Sequence, residues 1–300
     1  MSDVPRPRIS ALYVYPIKSC AGIAVESMRF DALGPLDDRR WMLVDDRGDF
    51  ITQRDVPSLA LVRPARVDGG LRVLAPGMPA LQVAGTGGER RSTFCWDDRC
   101  AGFDEGIEAR AWFSELLGRP VRLLRFDATA PRAASRNWVG SDAGRPGALT
   151  RFSDGFPLLV LSSASLAALN VRLAQAGLPA ATLQRFRPNV VVDGLDAFGE
   201  DLLDTLTRER ATESRGEDSG DATGPTPTLR LVKPCTRCTV PEVDPRTGRH
   251  EAGLLQVLAT FRSDPKLGGA VTFGQNAIVI DGLDGSLRVG DALLPSYRWS

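Results

Sequence analysis

The composition of the 300-residue chain is that of an ordinary globular protein, with 43% hydrophobic and 25% charged residues. Its 37 basic and 37 acidic residues give a formal net charge of zero. That balance argues against a nucleic-acid polymer as partner, but it leaves room for a local basic pocket. No stretch approaches the roughly 18 apolar residues that a membrane helix needs, and no signal region follows the polar N-terminus. We therefore expect a cytoplasmic protein without a membrane partner.

The first half of the chain is predicted to consist mostly of short strands. β-branched and aromatic runs bounded by Gly, Pro and Asp indicate strands, and Asp45-Asp46-Arg47-Gly48 is typical of a hairpin turn. A helix is predicted over 106–117, because apolar residues recur on one face and Gly118 follows. The predicted strands lie at 9–15, 41–44, 50–52, 71–74, 81–83 and 121–126.

The segment 129–150 is rich in Ala, Arg, Gly, Ser and Pro, and we interpret it as a domain boundary or a long loop over a site. A helix is predicted to follow with Leu166, Leu169 and Leu173 on one face, after a serine cap at 162 or 163. Residues 208–227 lack large apolar side chains, which predicts a mobile surface loop. Many short strands and few helices indicate β-barrel-like domains. The predicted strands of this half lie at 157–161, 190–192, 229–232, 277–280 and 287–293.

The lysines mark two cysteine-containing motifs that are far apart in sequence. Lysine occurs only at positions 18, 233 and 266, in a chain that otherwise uses arginine. Two of the three stand beside a thiol, in Lys18-Ser19-Cys20 and in Lys233-Pro234-Cys235. We interpret the two motifs as parts of one site. Five cysteines without regular spacing argue against a secreted disulfide framework, and the single His250 argues against a histidine-based zinc site.

The C-x-x-C motif Cys235-Thr236-Arg237-Cys238 leaves four interpretations open. Its cysteines could be structural, or part of a zinc site completed by Cys95 and Cys100. A dithiol redox pair is a third interpretation, but the following residues predict extended or turn structure where such a pair has a helix. The fourth is one thiolate that binds a soft metal held mainly by another group. Molybdenum on a pterin dithiolene fits, because it needs cations for the phosphate and one cysteine, but no histidine.

The ordered set of motifs resembles MOSC-domain proteins with an additional N-terminal MOSC β-barrel domain, of the mitochondrial amidoxime-reducing-component type. The similarity spans nearly the whole chain in collinear order. In the first half it rests on Tyr15-Pro-Ile-Lys-Ser-Cys20, Gly34, Asp38-Arg-Arg-Trp41 and Thr52-Gln-Arg54. In the second half it rests on Ser153-Asp154, Leu161-Ser-Ser-Ala-Ser-Leu166, Arg185-Phe-Arg-Pro-Asn-Val190, Lys233-Pro-Cys-Thr-Arg-Cys238, Val243-Asp-Pro-Arg-Thr-Gly248, Phe273-Gly-Gln-Asn276 and Val289-Gly-Asp291.

The resemblance implies a mixed, predominantly β (α+β) fold of two domains. These are an N-terminal MOSC β-barrel domain at 7–128 and a MOSC β-barrel domain with a few helices at 151–297. A linker would occupy 129–150, and the second domain would carry the insertion 208–227. It further implies a molybdenum-cofactor-dependent enzyme that reduces amidoximes, hydroxylamines and N-hydroxylated bases. Electrons would come from an external flavin or iron–sulfur reductase. A persulfide-carrying sulfur carrier and a non-catalytic cofactor carrier remain alternatives.

The resemblance also assigns roles to individual residues. Cys238 corresponds to the catalytic thiolate that binds molybdenum. The residues that correspond to cofactor contacts are Lys18, Ser19, Arg39, Ser153, Asp154, Arg187, Asn189, Thr236, Arg237 and Asn276. One of the consecutive residues Arg39 and Arg40 is expected to face inward. The residues between Cys238 and Val243 depart from the family pattern, so the substrate-side lining is not carried over.

Overall fold

The computed structural model describes residues 6–139, 147–210 and 225–298. Strands dominate and helices are few and short, which confirms the predicted mixed, predominantly β class. Over these ranges no helix combines the length and the apolar character that crossing a bilayer requires. The first half contains α1 (Ile107–Leu117) and the strands β1 (Arg8–Val14), β2 (Ile23–Ala24), β3 (Ser27–Asp31), β4 (Gly34–Pro35), β5 (Trp41–Val44), β6 (Arg63–Val67), β7 (Gly70–Leu74), β8 (Leu81–Val83), β9 (Arg90–Cys95), β10 (Asp98–Asp104) and β11 (Arg122–Phe126).

The second half continues the same pattern of short strands around a few helices. Its helices are α2 (Arg136–Val139), α3 (Ser163–Gln175), α4 (Leu183–Phe186) and α5 (Leu254–Arg262). Its strands are β12 (Arg132–Ala133), β13 (Leu149–Thr150), β14 (Leu158–Ser162), β15 (Val190–Asp193), β16 (Leu203–Arg208), β17 (Thr228–Thr236), β18 (Val243–Asp244), β19 (Arg249–His250), β20 (Ser263–Asp264), β21 (Ala270–Asp281), β22 (Ser286–Arg288) and β23 (Leu293–Tyr297).

The largest sheet joins the two halves of the chain. Its strand order is β2-β1-β15-β14-β21-β17-β16-β23, with β20 paired to β21. The first strand, β1, is antiparallel to β15, with Ile9 opposite Val192. A second cross-connection pairs β3 with β22. One buried cluster therefore combines first-half residues such as Leu12 and Phe30 with Val160, Leu231 and their neighbours.

The remaining first-half strands build a separate core. β5, β11, β10 and β9 form a four-stranded sheet, and β6, β7 and β8 form a three-stranded one. Trp112 and Phe113 of α1 pack with Trp41 and Leu71 in a cluster drawn only from the first half. The observed pairing crosses the predicted domain boundary at β1 and β3, and the boundaries at 7–128, 129–150 and 151–297 stay a prediction.

Two of the predicted strands are wrong in detail. Residues 50–52 do not form a strand, because Phe50 makes only an isolated bridge to Val44 and Thr52 starts a turn. In that turn the amide of Asp55 donates to the Thr52 carbonyl, and the Thr52 hydroxyl donates to Asp55 Oδ2. The predicted strand 287–293 is split, because a turn containing Gly290 at φ +92° separates β22 from β23.

The structure describes only parts of the two low-complexity segments. Within 129–150 the described residues form α2 and the short pair β12–β13, and 140–146 lie outside the described residues. Within the predicted loop 208–227, residues 211–224 also lie outside the described residues.

Candidate functional site

One cleft collects every residue that the sequence singled out for the site. Lys18, Ser19 and Arg39 come from the first half, and the others come from the second. The second-half members are Ser153, Asp154, Arg187, Asn189, Thr236, Arg237, Cys238 and Asn276. The structure thus places the predicted residues side by side, while their binding of a cofactor stays a prediction.

The strand that precedes the cysteine segment is irregular around Pro234, and this irregularity directs the segment toward the cleft. Pro234 lies inside β17 and has no N–H to donate to a neighbouring strand. The pairing of β17 with β21 shifts register on both sides of it, between Leu231 and Lys233 and between Pro234 and Thr236. Such bulges bend a strand and redirect its side chains. β17 ends at Thr236, and the exposed thiol of Cys238 follows at the cleft wall.

Four cleft residues have a backbone conformation that normally favours glycine. Ser19 (φ +66°), Arg39 (φ +46°), Trp96 (φ +58°) and Arg187 (φ +59°) line the cleft, and they are four of the seven described non-glycine residues with positive φ. A left-handed L-residue costs on the order of 1–2 kcal/mol, and such residues concentrate at functional sites. The cleft therefore contains more than half of the described non-glycine residues that have this strained conformation.

The guanidinium groups of Arg39 and Arg187 both lie close to the ring of Tyr15 beside the cleft. Arg39 Cζ lies 4.4 Å and Arg187 Cζ lies 4.3 Å from the ring centroid. Burial, and then repulsion by Arg39, lowers the pKa of Arg187 to about 10. Arg187 Nη1 donates to the Cys20 carbonyl at 2.6 Å, but its Nη2 is buried without a partner in the described part of the chain. This guanidinium is the strongest indication that an anion belongs here.

The neighbouring residue Arg40 turns away from the cleft. Its Nη1 donates to Asp37 at 3.0 Å, and its guanidinium lies 4.8 Å from the Trp41 ring centroid. Arg39 instead pairs with the buried Asp38. Of the two consecutive arginines, Arg39 is thus the inward one.

Both polar atoms of the Asn189 side chain are hydrogen-bonded to other groups of the protein. Its Oδ1 accepts from Arg39 Nη1 and from the Leu159 amide, each at 3.2 Å. Its Nδ2 donates to the Tyr13 carbonyl at 3.1 Å and to Asp38 Oδ1 at 3.0 Å. The side chain therefore orients Arg39 from within the wall, and the sequence had no means of separating this role from direct ligand contact.

Lys18 and Asp154 form an ion pair across the two halves. Lys18 Nζ is buried and donates to Asp154 Oδ1 at 2.5 Å and to the Phe152 carbonyl at 2.8 Å. Trp96 Nε1 donates to the same Oδ1 at 3.0 Å. The Asp154 side chain is exposed at its surface, and although desolvation inside the cleft opposes its charge, Lys18 and these hydrogen bonds outweigh that effect and hold the carboxyl pKa well below its usual range. Asp154 is therefore ionised at neutral pH.

The two cysteines of the C-x-x-C motif differ in their surroundings. Arg237 Nη1 donates to Cys235 Sγ at 3.0 Å, and its Nη2 donates to the Phe186 carbonyl at 3.0 Å. The Nε of Arg237 is buried and has no partner among the described residues. Cys238 is exposed, whereas Cys235 is partly buried.

The other three cysteines are buried away from solvent. Cys95 Sγ lies 3.5 Å from the Ser153 carbonyl, and Arg132 Nη1 donates to the same carbonyl at 2.5 Å. Arg132 thereby fixes the loop that carries Ser153 and Asp154. Nothing in the sequence pattern marked this arginine. Within the described ranges no group of three or more His, Cys, Asp or Glu side chains converges as a metal site.

Three further side chains of interest line the cleft: Arg54 and Trp96, which the sequence had not assigned to the site, and Lys233, which marked one of its two predicted motifs. Arg54 lies 4.6 Å from the Trp96 ring centroid, and Lys233 Nζ lies 5.4 Å from that of Trp138. The Thr52-Gln53-Arg54 motif and the rarity of lysine were signals that pointed to two of them. Trp96 had no signal, because its importance follows from contacts with residues remote in sequence.

Comparison with known proteins agrees with this two-part construction. The MOSC N-terminal beta barrel domain family matches residues 6–120, and the MOSC domain family matches residues 149–294. The chain thus has the domain pair that defines a class of MOSC proteins.

Full-length relatives identify the family more narrowly. The chain is 31% identical to the Xenopus laevis mitochondrial amidoxime-reducing component 1, over 97% of this chain and 81% of that protein. It is 32% identical to the Bos taurus mitochondrial amidoxime reducing component 2, over 80% of this chain and 67% of that protein. It is also 27% identical to the human molybdenum cofactor sulfurase, covering 32% of that protein. The chain belongs to the MOSC-domain family that contains the amidoxime-reducing components.

Proposed function

We propose that this chain is a molybdenum-cofactor-dependent oxidoreductase that reduces N-hydroxylated compounds such as amidoximes, hydroxylamines and N-hydroxylated bases. The observation that carries the proposal is the cleft itself, where an exposed thiol lies near arginine nitrogens that have no partner among the described residues. The names of the amidoxime-reducing relatives support the substrate class.

The residues of the cleft fit a phosphate-bearing cofactor. Among the described residues, Arg54, Arg187, Lys233 and Arg237 line the cleft without a carboxylate at ion-pair distance. A buried guanidinium nitrogen without a partner is costly, and arginine binds phosphate through charge-assisted, bidentate hydrogen bonds. Arg187 and Arg237, whose unpaired nitrogens are buried, are the residues that we assign to the anionic part of the cofactor.

The chain's own residues would bind and orient the cofactor. Cys238 would provide the thiolate for molybdenum, a soft ligand suited to a sulfur-bound metal. Lys18 and Arg39, each paired with a carboxylate, would offer N–H donors from the first half, and Asn189 and Asp38 would hold Arg39 in place. When bound, the cofactor supplies the two-electron redox chemistry, and the protein supplies binding, orientation and electrostatics.

The electron donor and the location complete the proposal. We propose an external flavin or iron–sulfur reductase as donor, and the cytoplasm as location. The names of the relatives leave both points open for this chain.

A metal assay with matched cysteine variants tests the proposal. The protein would be purified from a host that makes the cofactor, and molybdenum would be counted by mass spectrometry. We expect near-stoichiometric molybdenum in the wild type and in Cys235→Ala, and its loss in Cys238→Ala. Reduction of an amidoxime with reduced viologen as electron donor should follow the same order. Stoichiometric zinc without molybdenum would refute the assignment, and equal losses from both variants would favour a dithiol.

A sulfur carrier is the second candidate, because the chain is also similar to a molybdenum cofactor sulfurase and Cys238 is exposed. Incubation with a cysteine desulfurase and labelled cysteine would then leave labelled persulfide on Cys238. A protein that binds molybdenum cofactor but neither turns over an amidoxime nor accepts sulfur would be a cofactor carrier.

A further inference from the structure

The cations of the cleft are not all accounted for by the proposed cofactor. Six line it, namely Lys18, Arg39, Arg54, Arg187, Lys233 and Arg237. Lys18 pairs with Asp154 and Arg39 pairs with Asp38. Arg187 and Arg237 have buried nitrogens suited to a permanently bound anion. Arg54 differs from these, because it is exposed and no described carboxylate lies at ion-pair distance from it.

The Arg54 side chain is held in one orientation although it is exposed. Its Nε donates to Thr52 Oγ1 at 3.3 Å, and its backbone amide donates to the same oxygen at 3.1 Å. The guanidinium lies 4.6 Å from the centroid of the Trp96 ring. Neither Nη nitrogen has a partner within the described residues, so the fork of donors is free to bind a planar anion.

The indole under Arg54 is also fixed in place. Trp96 lies in the two-residue connection between β9 and β10, where positive φ normally selects glycine. Its Nε1 donates to Asp154 Oδ1 at 3.0 Å, and its ring lies 5.4 Å from that of Phe50. Trp96 as a residue nevertheless remains 44% exposed. Trp96 is thus a large aromatic side chain at a position that favours glycine, held by contacts to Asp154 and Phe50 and open to solvent. Such a side chain is suited to bind an aromatic ring.

We propose that Arg54 and Trp96 form a recognition shelf that selects N-hydroxylated substrates carrying an aromatic ring and a carboxylate. Trp96 contacts the ring, and the Arg54 fork binds the carboxylate. The inference rests on the proposed function and narrows its substrate class. A cationic substituent at the same place is disfavoured, because Arg54 and Lys233 line the cleft without carboxylate partners among the described residues.

A matched pair of substrates tests the shelf. Benzamidoxime with a para carboxylate and benzamidoxime with a para carboxamide have nearly the same shape but differ in charge. For the molybdenum-loaded wild type we expect kcat/KM to be about fivefold higher for the carboxylate, the upper range for an exposed charge pair. Arg54→Gln should remove this preference and Arg54→Lys should keep part of it. Arg72→Gln, an exposed arginine of β7 outside the cleft, should leave it unchanged.

A binding measurement separates failure of the shelf from failure of the proposed function. The indole N–H signal of Trp96, assigned by its loss in Trp96→Phe, would be followed by NMR during titration with benzoate and with benzamide. We expect benzoate to shift the signal at lower concentration, and Arg54→Gln to abolish the difference. Equal responses to benzoate and benzamide, or a difference that survives Arg54→Gln, would overturn the shelf. An Arg54-dependent response in a protein that reduces no amidoxime would support the shelf and refute the proposed activity.

Discussion

The buried carboxylate of Asp38 offers a sharp test of how the two halves are held together. Asp38 is 2% exposed, and it accepts hydrogen bonds from the Tyr15 amide, from Asn189 Nδ2 and from Arg39 Nη1 on both oxygens. Asp38→Asn keeps the shape but removes the charge and turns an N–H₂ toward these donors. Losing two charge-assisted hydrogen bonds at roughly 1.5 kcal/mol each should lower the free energy of unfolding by about 3 kcal/mol. This agrees with the roughly 3–5 kcal/mol expected when one partner of a buried pair is removed.

Asp37→Asn is the matched control for this measurement. Asp37 pairs with Arg40 at 3.0 Å, but both side chains are about one-third exposed, and a pair of this kind contributes roughly 0–1 kcal/mol. Urea unfolding of both variants and the wild type, with unchanged slopes, gives the two free-energy differences directly. Equal effects of the two substitutions, or a loss below about 1 kcal/mol for Asp38→Asn, would refute the argument that the buried carboxylate stabilises the junction.

Three further predictions use the same kind of contrast. Gly34→Ala should destabilise more than Gly77→Ala, because an added Cβ at Gly34 would lie 2.5 Å from Pro157 Cβ whereas nothing lies within 4 Å at Gly77; urea midpoints measure the difference, and equal shifts would contradict it. Iodoacetamide applied to the folded protein should label Cys238 and spare the buried Cys20, as peptide mass spectrometry would show. Equal labelling rates would contradict the burial of Cys20. Burial raises the Cys20 pKa from 9.0 to about 12. The neutral thiol therefore contributes fully to stability below pH 9, and this contribution is lost as the pH rises toward 12. Cys20→Ala should reduce that decline in the free energy of unfolding, as urea titrations at alkaline pH would show.

The sequence predicted best those features that depend on near neighbours. Gly118 ends α1 in a left-handed conformation and Ser162 caps α3, as the local patterns indicated. The strand predicted at 50–52 failed because the bonds between Thr52 and Asp55 favour a turn over a ladder. Local propensity could not weigh that alternative.

The candidate site shows the same division. Its predicted members came from motifs, and the fold gathers them in one cleft. What the motifs could not supply is how each side chain is used, because the deciding partners are remote. Asp38 meets Asn189 across 151 positions, and Lys18 meets Asp154 across 136. The shelf of Arg54 and Trp96 was invisible for the same reason, since it depends on a hairpin more than forty positions away from the motif.

The pairing of β1 with β15 also sets a schedule for biosynthesis. Ile9 leaves the ribosome early, but its partner Val192 is made roughly 180 residues later. At about 5–20 residues per second, translation needs roughly 10–40 s to reach that point. Meanwhile the first-half core around Trp112 can form without it, whereas β1 can pair only with β2 and lacks the partner for its other edge. We expect the nascent first half to be the state of this protein most dependent on chaperones.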